Sequence, residues 1–247
     1  MKDGQPKGRK PRKTSRADQS AKRRRQLLLS TITVIARKGL SGITMNDIAM
    51  EAGCSYGVVA FHFKTKQRML LAALDHLGDE YGVLWKRTIA GAVAPSAAER
   101  LGLMVGIDFD YRVAKPKHLA VWLAFWAEAS RVPAYRKLCG ELKQRSLTTT
   151  VNLVRELATE RGMDIDIDAV ARSLYMLSDG CWIYSHVTGE AGPAERERYR
   201  HLCFTFLATI FPQDFTAQGV IASRAAVTRS ARATGAAHRQ APSEEQA

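Results

Sequence analysis

Residues 119–127 read LAVWLAFWA, and Trp122, Phe125 and Trp126 in that run fall at i, i+3 and i+4, on one face of a helix. Aromatic faces beside a carboxylate can hold an organic cation. Cation–π attraction suits a quaternary ammonium above all, which has no N–H to donate. Asp108, Asp110, Glu128 and Asp179 are the candidate carboxylates. Asp179 is the most suggestive, because it stands among Leu174, Leu177, Cys181 and Trp182 on an apolar stretch, where an unpaired carboxylate is costly. The candidate ligand set is therefore Trp122, Phe125, Trp126, Asp179 and Trp182. An aromatic stripe at this spacing is more often the mark of a packed helix face than of a ligand box, and Asp179 also suits a hydrogen bond at a subunit interface.

Catalytic constellations do not emerge. Gly-x-Ser-x-Gly, His-Glu-x-x-His and phosphate-cradling glycine loops are missing, and the six histidines are scattered. Cys54, Cys139, Cys181 and Cys203 form no Cys-x-x-Cys pair and read as reduced, mostly buried thiols. The expectation is a non-enzyme without metal or cofactor. The basic N-terminus precedes no apolar segment of signal-peptide type, and no run approaches the roughly 18 apolar residues of a membrane span. A soluble, cytoplasmic protein is expected.

The formal net charge is +13, and its placement is uneven: residues 1–25 hold eleven Lys and Arg against Asp3 and Asp18. Such an arm suits a polyanion, or serves as a solubilising tail. Residues 1–20 read as a disordered basic arm and residues 213–247 as a disordered Ala-, Ser- and Arg-rich tail.

Between these ends the pattern is helical, and the fold class is all-α. The spacing of Leu28, Ile32, Ile35 and Ala36 predicts a helix over about 21–38, closed by Gly39. A short helix follows Thr44, another runs from Ser55 to about Phe63, and a long one runs from Lys66 to about Ala92. Five more are expected near 96–113, 117–130, 133–161, 167–188 and 193–211, with Pro116, Pro133 and Pro193 as starts and Gly162 and Gly189 as stops. This divides the chain into a small three-helix domain, 21–66, and a larger helical domain, 67–212.

Residues 44–63, TMNDIAMEAGCSYGVVAFHF, set two short helices around a turn at Gly53, where glycine accepts positive φ without steric cost. Ile48, Ala49, Val58 and Val59 face inward, which leaves Ser55, Tyr56, Gly57, Ala60 and Phe61 to face a groove. The segment resembles the helix-turn-helix of TetR-type regulators at Thr44, Ile48, Ala49, Gly53, Ser55, Gly57, Phe63 and Lys66. It departs at Cys54, where Val is usual, and at Phe61-His62, where a Tyr-His or His-Tyr pair is commoner.

The resemblance implies roles at matching positions. Thr44 and Lys66 contact phosphates, Ser55, Tyr56 and Gly57 approach bases, His62 reaches the DNA backbone, and Met45 and Asn46 add contacts beside the groove. Lys22 and Arg23–Arg25 extend the phosphate or minor-groove contacts. In the larger domain the LAVWLAFWA run, then Pro133, Tyr135 and Arg136, then SDGCW at 178–182, resemble the choline-responsive BetI-type subgroup over roughly residues 22–211. That resemblance implies a repressor on double-stranded DNA, with a small-molecule effector such as choline and no membrane partner. A homodimer is expected through the last two helices, by way of Leu174, Leu177, Cys181, Leu202, Phe206, Leu207 and Ile210. Alternatives are a TetR-type regulator of an unrelated ligand, controlling efflux or catabolic genes, and a non-specific basic nucleic-acid-binding protein.

Overall fold

Ser15 opens the first element through a reciprocal cap: the Asp18 N–H donates to Ser15 Oγ, and the Ser15 N–H donates to the Asp18 carboxylate, each at 3.0 Å. The computed structural model describes residues 15–92 and 95–221. Helix α1 spans Arg16–Lys38, so residues 16–20, expected in the basic arm, are helical. The cap explains the difference, because it starts the helix before the apolar face begins. The rest of the expected arm, and residues 222–247 of the expected tail, lie outside the described residues.

Helix α2 (Met45–Glu51) starts with a second reciprocal cap between Thr44 and Asp47, and α3 (Tyr56–Phe63) follows the turn. Gly53 has φ +59° there, and Cys54 N–H closes the turn on the Ala49 carbonyl at 2.9 Å. Leu27, Leu28, Ile32 and Ile35 of α1 are buried, as are Ile48 and Ala49 of α2 and Val59 and Phe63 of α3. Helix α4 (Lys66–Ala90) follows.

Two compact units result, divided at His76 and Leu77 rather than at the expected 66 and 67. The first turns of α4, with Met69, Leu70, Ala73 and Leu74 buried, fall in the N-terminal unit.

The C-terminal unit comprises the rest of α4 with α5 (Ala97–Asp108), α6 (Pro116–Ala129), α7 (Pro133–Arg161), α8 (Ile167–Thr188) and α9 (Pro193–Ile210). Helix α5 ends five residues earlier than the apolar pattern suggests, because Val113 and Ala114 are buried from a turn and not from a helix. Prolines open α6, α7 and α9, where the missing N–H is no loss.

The core joins Leu101 of α5, Val154 and Leu157 of α7, Leu174 and Cys181 of α8, and Cys203, Phe204 and Leu207 of α9. Leu174, Cys181 and Leu207 therefore fill their own protomer and are not available to a partner. The last helices instead expose Met176, Ile183, Tyr184, Val187 and Leu202.

Residues 213–221 also depart from the expected tail. Strands β1 (Phe215–Thr216) and β2 (Gly219–Val220) pair antiparallel, with Phe215 buried against Phe204 and Phe211. Asp214, also buried, pairs with the Arg161 guanidinium at the end of α7. Gly102 of α5 lies beneath the hairpin, and a Cβ there would collide with the Val220 side chain.

Candidate functional site

Thr44, Asn46, Ser55, Tyr56, Gly57 and Phe61 are exposed on the N-terminal unit. Tyr56 and Phe61 keep 53% and 69% of their surface in solvent, an unusual exposure for two rings on one short helix. Ser55 occupies the N-cap position of α3, yet its side chain makes no cap hydrogen bond, so its hydroxyl remains available to another partner. The Thr44 hydroxyl is already engaged: it donates to Asp47 Oδ2 at 2.8 Å and accepts from the Asp47 N–H.

Met45 does not stand where the sequence put it. Its side chain is buried, because the first residue of α2 turns into the core, and it is not placed to touch DNA. Asp47, which the sequence did not nominate, joins the elements: it caps α2 and pairs with Lys38 of α1 at 2.6 Å. Lys38 first, then Thr44, holds its carboxyl down at about 2.

Positive charge surrounds α3. Arg24 lies over the Phe63 ring at 5.2 Å and Lys64 over the Phe61 ring at 5.3 Å. Burial first, then the neighbouring Arg24 and Arg23, hold the His62 imidazole below its usual range. Lys66 Nζ reaches the Ser41 carbonyl at 3.4 Å, a weak bond that a phosphate oxygen can replace. Lys64, at the end of α3, was not singled out in the sequence. Its backbone φ of +65° gives the position away only once the chain is folded.

The C-terminal unit contains a partly open cavity of about 140 Å³. Roughly 10–15 Å³ admits one water, so the space suits a small organic molecule. All four tryptophans of the chain line it: Trp85 from α4, Trp122 and Trp126 from α6, and Trp182 from α8. Tyr81 and Tyr175 add two further rings. Trp122 and Trp126 lie 6.2 Å apart, centroid to centroid. Phe125, between them in sequence, is fully buried and packs edge-on against Tyr135 at 5.0 Å, so it belongs to the core and not to the cavity.

Asp108, the last residue of α5, stands in the cavity wall. Its carboxylate accepts from the Tyr81 hydroxyl and the Ser178 hydroxyl, each at 2.8 Å, and its backbone carbonyl accepts from Trp182 Nε1 at 3.0 Å. Burial pushes its carboxyl up to about 6, against those two hydroxyl bonds, which pull it down. It has no ion-pair partner among the described residues. By contrast, Asp110 pairs with Arg112 and Glu128 with Arg131 at the surface.

Asp179 lines the same cavity, but it is already neutralised. Lys143 of α7 donates to its Oδ2 at 2.5 Å. The same ammonium lies 3.8 Å over the Trp126 ring and 5.4 Å from that of Tyr175. The carboxylate favoured from the sequence thus serves a lysine of the chain, and Asp108 is the one without a cation. Lys143, Tyr81, Trp85 and Tyr175 were not found in the sequence, because each comes from a different part of the bundle with no local motif. Among the described residues no cluster of metal-ligating side chains occurs.

Comparison with known proteins accounts for both units. Residues 27–73 match the model of the tetR family of bacterial regulatory proteins, and residues 97–212 match that of the BetI-type transcriptional repressor C-terminal domain. The chain belongs to the TetR family of transcriptional regulators, and its larger unit is of the BetI type. Among similar proteins, the HTH-type transcriptional regulator BetI of Paraburkholderia phymatum is 34% identical over 68% of this chain and 83% of its own. The BetI of Escherichia coli K12 is 28% identical over 78% and 95%. Among solved structures, a transcriptional regulator from Pseudomonas aeruginosa PAO1 superposes with TM-score 0.68 at 25% identity, covering 77% of this chain and 90% of its own. A regulator from Saccharomonospora viridis, in complex with choline, superposes with TM-score 0.63 at 26% identity, covering 82% and 100%. TetR-family regulators bind DNA, dimerise and respond to small molecules, and no helix among the described residues is long and apolar enough to cross a membrane.

Proposed function

We propose that this chain is a repressor that holds an inverted-repeat operator as a homodimer and lets go when a small organic cation, choline first, enters the tryptophan-lined cavity. The observation that carries the reading is the meeting of four tryptophans with one carboxylate, Asp108, that has no cationic partner. Each well-placed ring contributes about 0.5–2 kcal/mol to a bound cation, so two or three rings and a carboxylate suffice for micromolar to millimolar affinity. The choline held by the Saccharomonospora viridis regulator supports the same chemistry here.

On the DNA side, Ser55, Tyr56 and Gly57 approach bases in the major groove, flanked by Phe61 and Asn46. His62, Lys66 and the Lys22–Arg25 cluster contact the phosphate backbone, and Thr44, whose hydroxyl already serves Asp47, stands beside them. The partner surface is the apolar stripe Met176, Ile183 and Val187 of α8, with Tyr184 and Leu202 beside it. Gly180 lies on that stripe, and the space around its Cα is open, which permits close approach of a second helix. The two-fold axis then presents the recognition helices about 34–36 Å apart, or a multiple of that.

Release requires that the effector bind the DNA-free state better than the bound one. The test is a titration of the operator complex with choline, betaine aldehyde and a neutral analogue of equal size, the operator being selected from random DNA by the protein itself. Choline is expected to release the DNA and the neutral analogue to leave it bound. Equal release by both would sink the cation–π account, and failure to select any sequence would sink the operator.

A further inference from the structure

The cavity contains two sets of rings and carboxylate set side by side along α8. In one, Asp108 accepts from Tyr81 and Ser178, with Trp182 bonded to its backbone. In the other, Asp179, the residue next to Ser178, faces Trp126 and Tyr175 across the Lys143 ammonium. The second set is what an aromatic cation site looks like when filled, and the cation filling it is the protein's own. We propose that Lys143 is a tethered occupant of this second half-site and thereby sets the effector class: a molecule with a single cationic head, held at Asp108, and not a diamine. This rests on the reading that the cavity takes an organic cation.

The chemistry on the page favours this role over a plain bridge between α7 and α8. A surface salt bridge needs no ring, whereas Lys143 stacks on Trp126 at 3.8 Å while it pairs with Asp179. Trp126 in turn has no other polar anchor, since its indole nitrogen is buried without an acceptor. A second ammonium from an effector would have to displace the lysine from a carboxylate it already contacts at 2.5 Å. A diamine therefore meets one open half-site and one closed one, and its second charge is stranded.

The experiment compares choline with a homologous series of short α,ω-diamines, read by tryptophan fluorescence on the full chain. Wild type and Lys143→Arg are expected to bind choline and to discriminate against every diamine. Lys143→Met vacates Asp179 and the Trp126 face, and for the best-fitting diamine the ratio of its affinity to that of choline should rise about tenfold or more. Adding Asp179→Asn to Lys143→Met should remove the gain. An unchanged ratio in Lys143→Met overturns the proposal.

A second measurement stands apart from ligands and from the folding of the variant. The Lys143 ε-methylene protons of the wild type should resonate upfield, shifted by the Trp126 ring, and move to ordinary positions in Trp126→Leu. Ordinary positions in the wild type would also overturn it. If the cation reading itself is wrong, neither choline nor a diamine binds wild type or Lys143→Met, yet the lysine resonances still report on the stacking of Lys143.

Discussion

Asp108 is a single carboxyl on which pH, stability and ligand meet. An ordinary aspartate titrates near 3.9 in the unfolded chain, whereas burial pushes Asp108 up to about 6. Between these values the folded state keeps its proton and the unfolded state has lost it. Asp108 therefore subtracts stability as pH rises from about 4 to about 6, and the loss stays constant above that window. The magnitude is on the order of 1–3 kcal/mol. His118 has the opposite sign over a similar range: burial pushes it down to about 4, so its contribution is lost as pH falls from about 6.5. The informative quantity is thus the difference between wild type and Asp108→Asn in urea unfolding across pH 4–7. The variant should lack the decline that Asp108 imposes, and curves that stay parallel would show the carboxyl to titrate normally. Choline affinity should rise through pH 6 in the wild type and lose that rise in Asp108→Asn.

The same scale shows what spacing conceals. Trp122, Phe125 and Trp126 share one helix face in sequence, but they diverge by tens of degrees around the axis. That is enough to send Phe125 into the core against Tyr135 and the two tryptophans into the cavity. Nothing in the run LAVWLAFWA marks which of the three does which.

Among elements, α3 and the start of α4 divide the work on DNA. Tyr56 stands exposed in its first turn, while Lys66 opens the next helix with its ammonium on the Ser41 carbonyl. Tyr56→Ala should change which base is preferred, at about 1–3 kcal/mol for a specific contact. Lys66→Ala should weaken all sequences alike and reduce the salt slope by roughly one unit. Selection from random DNA, repeated with each variant at several salt concentrations, separates the two. A changed consensus with Lys66→Ala and an unchanged one with Tyr56→Ala would reverse the assignment.

Elements were legible where a terminus carries its own chemistry. Prolines and left-handed glycines mark α6 to α9 to within a residue or two, because their backbone preferences act locally. Two features lacked such a mark. The α5 terminus hides behind apolar residues that continue past it, and the hairpin at 215–220 has strands too short to show alternation. Phe215, which the composition of its surroundings assigned to a tail, is anchored by burial of about 1.5–3 kcal/mol. The turn at Gly53 and the bounds of its flanking helices were legible, since a long motif constrains the bend, but the inward turn of Met45 was not.

For the whole molecule, the decisive quantity is assembly. Val187 keeps 76% of its surface in solvent and shares the α8 stripe with Ile183 and Met176, an apolar exposure that a second copy would cover. Ile183→Glu with Val187→Glu should yield a monomer by sedimentation, with helix content and choline binding retained. Operator affinity should fall about 100-fold or more, because like charges would face each other across the two-fold axis. A dimer that persists in this variant would place the interface elsewhere.

The stacking of Lys143 on Trp126 has a consequence for binding. In the effector-free protein the Trp126 and Tyr175 rings are already arrayed around a charge, and the carboxylate beside them is already paired. Side chains fixed in advance spare an arriving ligand about 0.5–1.5 kcal/mol each in lost rotamer freedom. That part of the wall does not have to be gathered at the moment of encounter. An effector seated at Asp108 would then meet a neighbouring wall that is already in place, and only the Asp108 half would remain to be ordered around it.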